Sequence, residues 1–133
     1  MEKKMRQGKS VSESVIDCAF EASSTLGAGF LEAVYESALY CELEAKGIAF
    51  ERQKPLVVRY RGKVVGKYVA DIVVEDRLLV ELKAMARLSG EHQAQVMNYL
   101  RAANLNVGLL LNFGSPRLGI SRIVWNYDET MNL

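Results

Sequence analysis

The chain has 133 residues, half of them apolar and a quarter charged, which suits one domain around one hydrophobic core. A formal net charge of +1 gives no global electrostatic case for nucleic acid. No segment approaches the roughly twenty apolar residues of a membrane span, and two cysteines with one histidine cannot build a structural zinc site.

The first ten residues, polar and basic, read as a flexible N-terminal segment, with a single domain over residues 11–133. Ser10 to Thr25 reads as a helix: Ser10 and Glu13 form an S-x-x-E capping pattern, and Val15, Cys18, Ala19, Ala22 and Leu26 recur at helical spacing. Gly27 to Gly29 breaks it. A second helix runs from about Leu31 to Lys46 and stops at Gly47. The period then changes. Ile48–Arg52 and Leu56–Tyr60 read as two strands separated by Pro55, and Val64–Val74 as a third after a turn at Arg61-Gly62. Leu78–Lys83 is a further strand. A helix from about Gly90 to Ala103 follows, capped at or near Ser89, with Ala94, Met97, Leu100 and Tyr99 on its core face. The continuous apolar run "NVGLLLNF" is a buried strand, and Ile120–Trp125 the last one.

The order α-α-β-β-β-β-α-β-β predicts an α/β sandwich, a mixed central sheet flanked by helices. The crossover helix makes Leu78–Lys83 and Val107–Leu111 parallel. Cys18 and Cys41, outside any CxxC pair, read as buried reduced thiols of a cytoplasmic protein, and no signal peptide is expected. Six basic residues crowd the span from Arg52 to Lys67. They read as a solvated hairpin, with a phosphate-tracking surface as the alternative.

Three charges sit inside the apolar strands: Asp71, Glu81 and Lys83. Glu81 and Lys83, two apart, share a face. A two-residue turn at Glu75-Asp76 would send Asp71 to the opposite face. A three-residue turn through Arg77 would pair Val74 with Leu78 and bring Asp71 beside Glu81. Two facing carboxylates in a half-buried place repel unless a cation lies between them, which Lys83 or a metal could supply. The plainer reading is a Glu81–Lys83 ion pair on one strand near a sheet edge, with Asp71 a charge near the turn.

D…E-x-K across a hairpin resembles the core of the PD-(D/E)XK nuclease superfamily. The chain also contains "GFLEAVY" (G-x-x-E-x-x-Y, Gly29 to Tyr35), "VELKA", "HQAQVMNYL" and "VGLLLNFG" in the matching order, so from about Val11 to Trp125 it resembles the GxxExxY proteins within that superfamily. Ala70-Asp71 stands where the superfamily's name has Pro-Asp. The resemblance implies a restriction-endonuclease-like fold with Asp71 and Glu81 facing together. It implies a metal site of Asp71, Glu81, the Leu82 backbone carbonyl and Glu32, with Lys83 beside the attacked phosphate and Gln95 turned toward the site. Tyr35 and His92 are expected as neighbours, and Glu36 as a solvated or outlying acid. All-oxygen ligands suit Mg²⁺ or Mn²⁺. The implied activity is metal-dependent phosphodiester hydrolysis on DNA or RNA, by a protein expected to be a homodimer. The alternatives are a catalytically silent binding or assembly module of the same fold, and an enzyme acting on a small phosphorylated ligand.

Overall fold

The computed structural model describes residues 8–133. The first seven residues of the segment expected to be flexible lie outside the described residues. Helix α1 (Val11–Leu26) starts where the capping pattern puts it. The Ser10 hydroxyl accepts from the Glu13 N–H (3.2 Å) and the Glu13 carboxylate from the Ser10 N–H (3.0 Å), an arrangement worth about 1 kcal/mol. Helix α2 spans Glu32–Ala45 and buries Tyr35, Leu39 and Leu43, one residue per turn. Cys41 falls two residues from Leu39, on the far side of that stripe, and is exposed. The expectation of two buried thiols holds only for Cys18.

Next come β1 (Phe50–Tyr60), β2 (Lys63–Val74), β3 (Leu78–Lys83), α3 (Gly90–Ala103), β4 (Val107–Asn112) and β5 (Gly119–Val124). A 3₁₀ turn over Glu129–Met131 follows. The expected order α-α-β-β-β-β-α-β-β is therefore corrected by one strand, to α-α-β-β-β-α-β-β. Pro55 does not divide β1, because β1 is an edge strand of the sheet β1-β2-β3-β4-β5 and an edge tolerates a missing donor. β3 and β4 are parallel and all other pairs antiparallel.

The sheet is covered on both faces. Ile72, Val74, Leu78, Val80, Leu82, Leu109 and Leu111 pack toward α1 and α2. Val73, Leu79 and Leu110 pack toward Val96, Tyr99 and Leu100 of α3. The core face of α3 is thus Val96, Tyr99 and Leu100, while Ala94 is exposed. Its missing alternation gave the hidden strands near-continuous apolar runs. β1 and β2 outrun this covered region. β3 pairs with β2 only over Ile72–Val74, so beyond Leu56, itself buried against α3, the hairpin from Val57 to Lys67 projects as a two-stranded ribbon turning at Arg61-Gly62, both at positive φ. No helix among the described residues is long and apolar enough to cross a membrane.

Candidate metal centre

The β2–β3 turn decides where the acids lie. Val74 pairs with Leu78, Val73 with Leu79 and Ile72 with Val80, the register of the three-residue turn. Glu75 and Asp76 both have positive φ (55° and 56°), and the Arg77 N–H donates to the Val74 carbonyl at 3.0 Å. This is the φ signature of a type I′ turn, with Arg77 as the added residue. The ladder then stops one pair short of Asp71 and Glu81, and their side chains take over. The Asp71 N–H donates to Glu81 Oε2 (2.8 Å), and the Leu82 N–H donates to Asp71 Oδ2 (2.9 Å). Each carboxylate thus satisfies a backbone donor of the opposite strand.

Asp71 is irregular on its other side too. Arg52 pairs with Ile72 and Lys54 with Ala70, but the intervening pair, Gln53 with Asp71, is missing, and Gln53 has φ 47°. The side chain of Gln53 instead donates to Glu36 Oε2 at 2.7 Å.

Helix α2 supplies the remaining acids. Its N-cap, Leu31, has no capping side chain. The anchoring is done by Tyr35, whose buried hydroxyl donates to the Gly27 carbonyl (2.5 Å) and accepts from the Phe30 N–H (3.1 Å). The Tyr35 ring stacks on Phe113 at 4.9 Å. The tyrosine of G-x-x-E-x-x-Y therefore pins the loop before the helix and holds its first turn, where Glu32 lies. Glu36 follows at i+4 on the same face and also accepts from the Tyr40 hydroxyl. One carboxylate oxygen from each of Glu32, Glu36 and Asp71 can lie within 4.8 Å of the others. Glu81 stands behind this trio, buried and bonded to the Asp71 backbone.

The electrostatics follow from this crowding. Burial raises the pKa of Glu32, and the Asp71 charge adds to the shift. Burial also raises that of Asp71, against the pull of the Leu82 N–H. Glu81 is pushed up to about 8, by burial first and then by Asp71. Lys83 draws all three downward. The ion pairs among the described residues join Lys9 to Asp17, Arg52 to Glu44 and Lys54 to Glu51, and none joins Lys83 to Glu81. The plain same-strand ion pair is not formed.

Of the other expected neighbours, Gln95 is half-buried on α3, one turn before Tyr99, and no hydrogen bond joins it to the acids. His92 closes the cap of α3: its Nδ1 accepts from the Ser89 N–H at 3.0 Å. Two residues shape the site beyond what the sequence leads us to expect: Glu36, expected only as a solvated or outlying acid, and Asn112, not anticipated at all. Glu36 joins the trio, as its i+4 spacing from Glu32 allowed. Asn112, buried at the end of β4, accepts from the Met85 and Gly114 N–H groups (both 3.1 Å) and donates to the Met85 carbonyl (2.9 Å). It fastens the loop that leaves β3 at Lys83. Gly114 is needed there, because a Cβ would sit 2.2 Å from the Met85 nitrogen.

Comparison with known proteins bears on the family and the fold. The profile of the PD-(D/E)XK nuclease superfamily matches residues 9–123. The crystal structure of SSO0001 superposes with a TM-score of 0.57 at 21% identity, over 91% of this chain and 60% of that one. The chain thus spans less than two thirds of that protein, and the likeness is one of fold. A search of curated proteins gave no match. The α/β sandwich, the paired acids of the β2–β3 hairpin and the matched span together place this chain in the PD-(D/E)XK nuclease superfamily.

Proposed function

We propose that the protein, as a single domain over residues 11–133, hydrolyses phosphodiester bonds in nucleic acid with the help of Mg²⁺ or Mn²⁺. The observation that carries the reading is the convergence of Glu32, Glu36 and Asp71 on one small volume, backed by buried Glu81. The donor set fits a hard divalent cation: every candidate ligand is oxygen, and burial together with neighbouring carboxylate charge raises the pKa of Glu32, Asp71 and Glu81, a cost a cation would relieve. Asp71 and Glu32 would hold the ion, with Glu81 and the Leu82 carbonyl as the ligands the family pattern adds and Glu36 as a further acid. When bound, the ion would polarise the phosphate and lower the pKa of a water.

The chain's own groups do the rest. The Leu82 N–H fixes one Asp71 oxygen and so orients the carboxylate. Gln53 and Tyr40 hold Glu36 from one side. Lys83, unpaired with Glu81, is available to meet the negative charge that grows on phosphorus, which is where a fixed cation contributes most. Gln95, half-buried on α3, is the polar residue that the family pattern adds to orient water or phosphate. A homodimer, the assembly expected for so small a domain on a long substrate, would set two such sites on one nucleic acid.

The test is a cleavage assay on mixed DNA and RNA with Mg²⁺ or Mn²⁺, run beside Asp71→Asn and Glu32→Gln. Metal-dependent cleavage by the wild type, lost in both variants, is the expected result. Cleavage that persists in either variant removes that residue from the site. A wild type that cleaves nothing with either ion leaves a silent binding module of the same fold.

A further inference from the structure

The projecting β1–β2 ribbon has no packing task over its outer half, and its composition is one-sided. Between Glu51 and Asp71 the chain carries six basic residues and no acid, although the whole chain is nearly balanced at 17 basic against 16 acidic residues. Four of the six, Arg59, Arg61, Lys63 and Lys67, lie on the outer half and are exposed. Where the ribbon leaves the sheet, an open groove of about 580 Å³ separates it from α3. Val57 and Val58 are among its lining residues, with Tyr68 and Trp125 as its aromatics and Arg59, Asn98 and Arg101 as its polar groups. The volume falls within the roughly 300–1,000 Å³ of small-molecule sites.

Aromatic faces flanked by arginines are the pairing that recognises unpaired nucleotides: a base stacks on the ring and the phosphates meet the guanidinium groups. A base in a duplex has no free face to offer such a groove. The groove also borders the strand that carries Asp71. Tyr68 lies three residues before Asp71 on β2, about 10 Å along an extended strand, and its ring is 5.3 Å from that of Tyr99 on α3.

We infer that this groove holds an unpaired nucleotide of single-stranded nucleic acid, with Tyr68 and Trp125 against the base and Arg59 and Arg101 on the flanking phosphates. The basic ribbon then carries the strand onward. The inference rests on the proposed nuclease function, whose substrate class it narrows to single strands.

Binding tests it separately from cleavage. Trp125 is the sole tryptophan, so its fluorescence reports the groove directly. Oligo-dT, oligo-U and a DNA duplex are titrated in EDTA into wild type and Arg59→Ala/Arg101→Ala, with fluorescence anisotropy of labelled strands read in parallel. Expected are quenching of Trp125 by one or both single strands and weaker binding of the duplex. The double arginine variant should bind about tenfold more weakly, with the slope of log affinity against log salt reduced by about 1.4, two phosphate contacts' worth. The dT and U arms separate DNA from RNA. Because binding is read in EDTA, where metal-dependent cleavage does not proceed, a wild type that binds in the groove but cleaves nothing with Mg²⁺ or Mn²⁺ would overturn the nuclease reading alone. The groove assignment is overturned by cleavage or binding that ignores both arginines, by a Trp125 signal that never changes, by tighter duplex binding, or by a dimer in solution that buries Trp125.

Discussion

Replacing Glu81 by glutamine should make the metal-free protein more stable while removing its activity. A carboxyl whose pKa rises from 4.5 to about 8 on folding holds its proton more tightly in the native state. Between those values the unfolded chain binds fewer protons, so the native state loses stability as pH rises from about 4.5 to about 8. Above that window the full shift corresponds to at most about 5 kcal/mol, and relaxation around the charge reduces this to about 2–3 kcal/mol. Glutamine keeps an oxygen to accept from the Asp71 N–H and gains an N–H that can donate to the Asp71 carboxylate, so it escapes the cost without orphaning a partner. For a domain of this size the gain corresponds to a rise in Tm of about 10 °C at pH 8. The assay is thermal and urea unfolding of both proteins in EDTA at pH 8, 6 and 4. The advantage of Glu81→Gln should be largest at pH 8 and vanish by pH 4. A variant less stable than wild type at pH 8, or an advantage that does not change with pH, would refute the reasoning.

Mn²⁺ should raise the melting temperature of the wild type and not of Asp71→Asn, with about 2.7 kcal/mol gained at a hundredfold excess over Kd. Its affinity should climb with pH toward 8, because protons compete for the raised carboxylates; isothermal titration at three pH values checks both. Lys83→Ala should leave the fold and Mn²⁺ binding in place and lower kcat about a hundredfold, with little change in KM. Single-turnover cleavage at the wild-type rate would return Lys83 to a structural role. Gly114→Ala should cost about 3 kcal/mol in urea unfolding, since the added Cβ meets Met85 backbone that cannot swing aside.

Most of the architecture was legible because the periodicities were clean. The capping pattern at Ser10 and Glu13 placed α1, and the aliphatic run of β4 announced a strand covered on both faces. The extra strand predicted at Ile48–Arg52 came from reading Pro55 as a breaker, when whether a strand lies at an edge is a tertiary fact that sequence does not carry. Cys41 and Ala94 were misplaced for a related reason: small residues pack on either side of a helix, and only larger neighbours such as Leu39 and Val96 define the buried stripe. At the site, the parity of Glu81 and Lys83 followed from spacing, whereas spacing left the two- and three-residue turns open and only the family resemblance favoured the latter. The recruitment of Glu36 did not follow from spacing, since it depends on how far α2 leans over the sheet and on the unusual backbone of Gln53. The clamp of Asn112 on Met85 joins residues 27 positions apart, and no local pattern marks it.

The exchange of side-chain and backbone bonds between Asp71 and Glu81 has a consequence for how the protein can be dissected. These acids also act as rivets where the β2–β3 ladder gives out. Truncating Asp71 to alanine strips the Leu82 N–H of its acceptor, and truncating Glu81 strips that of Asp71. Each loss leaves a half-buried amide dry and unpaired, at about 1–3 kcal/mol. An alanine scan would therefore record any loss of the proposed activity and a loosened hairpin together. Amides of the same shape keep the rivet and remove only the charge, so Asn and Gln separate chemistry from architecture here. The same constraint bears on descent: a relative without metal chemistry would still be held to an oxygen acceptor at both positions, and an Asn–Gln pair there would keep the fold without the charge.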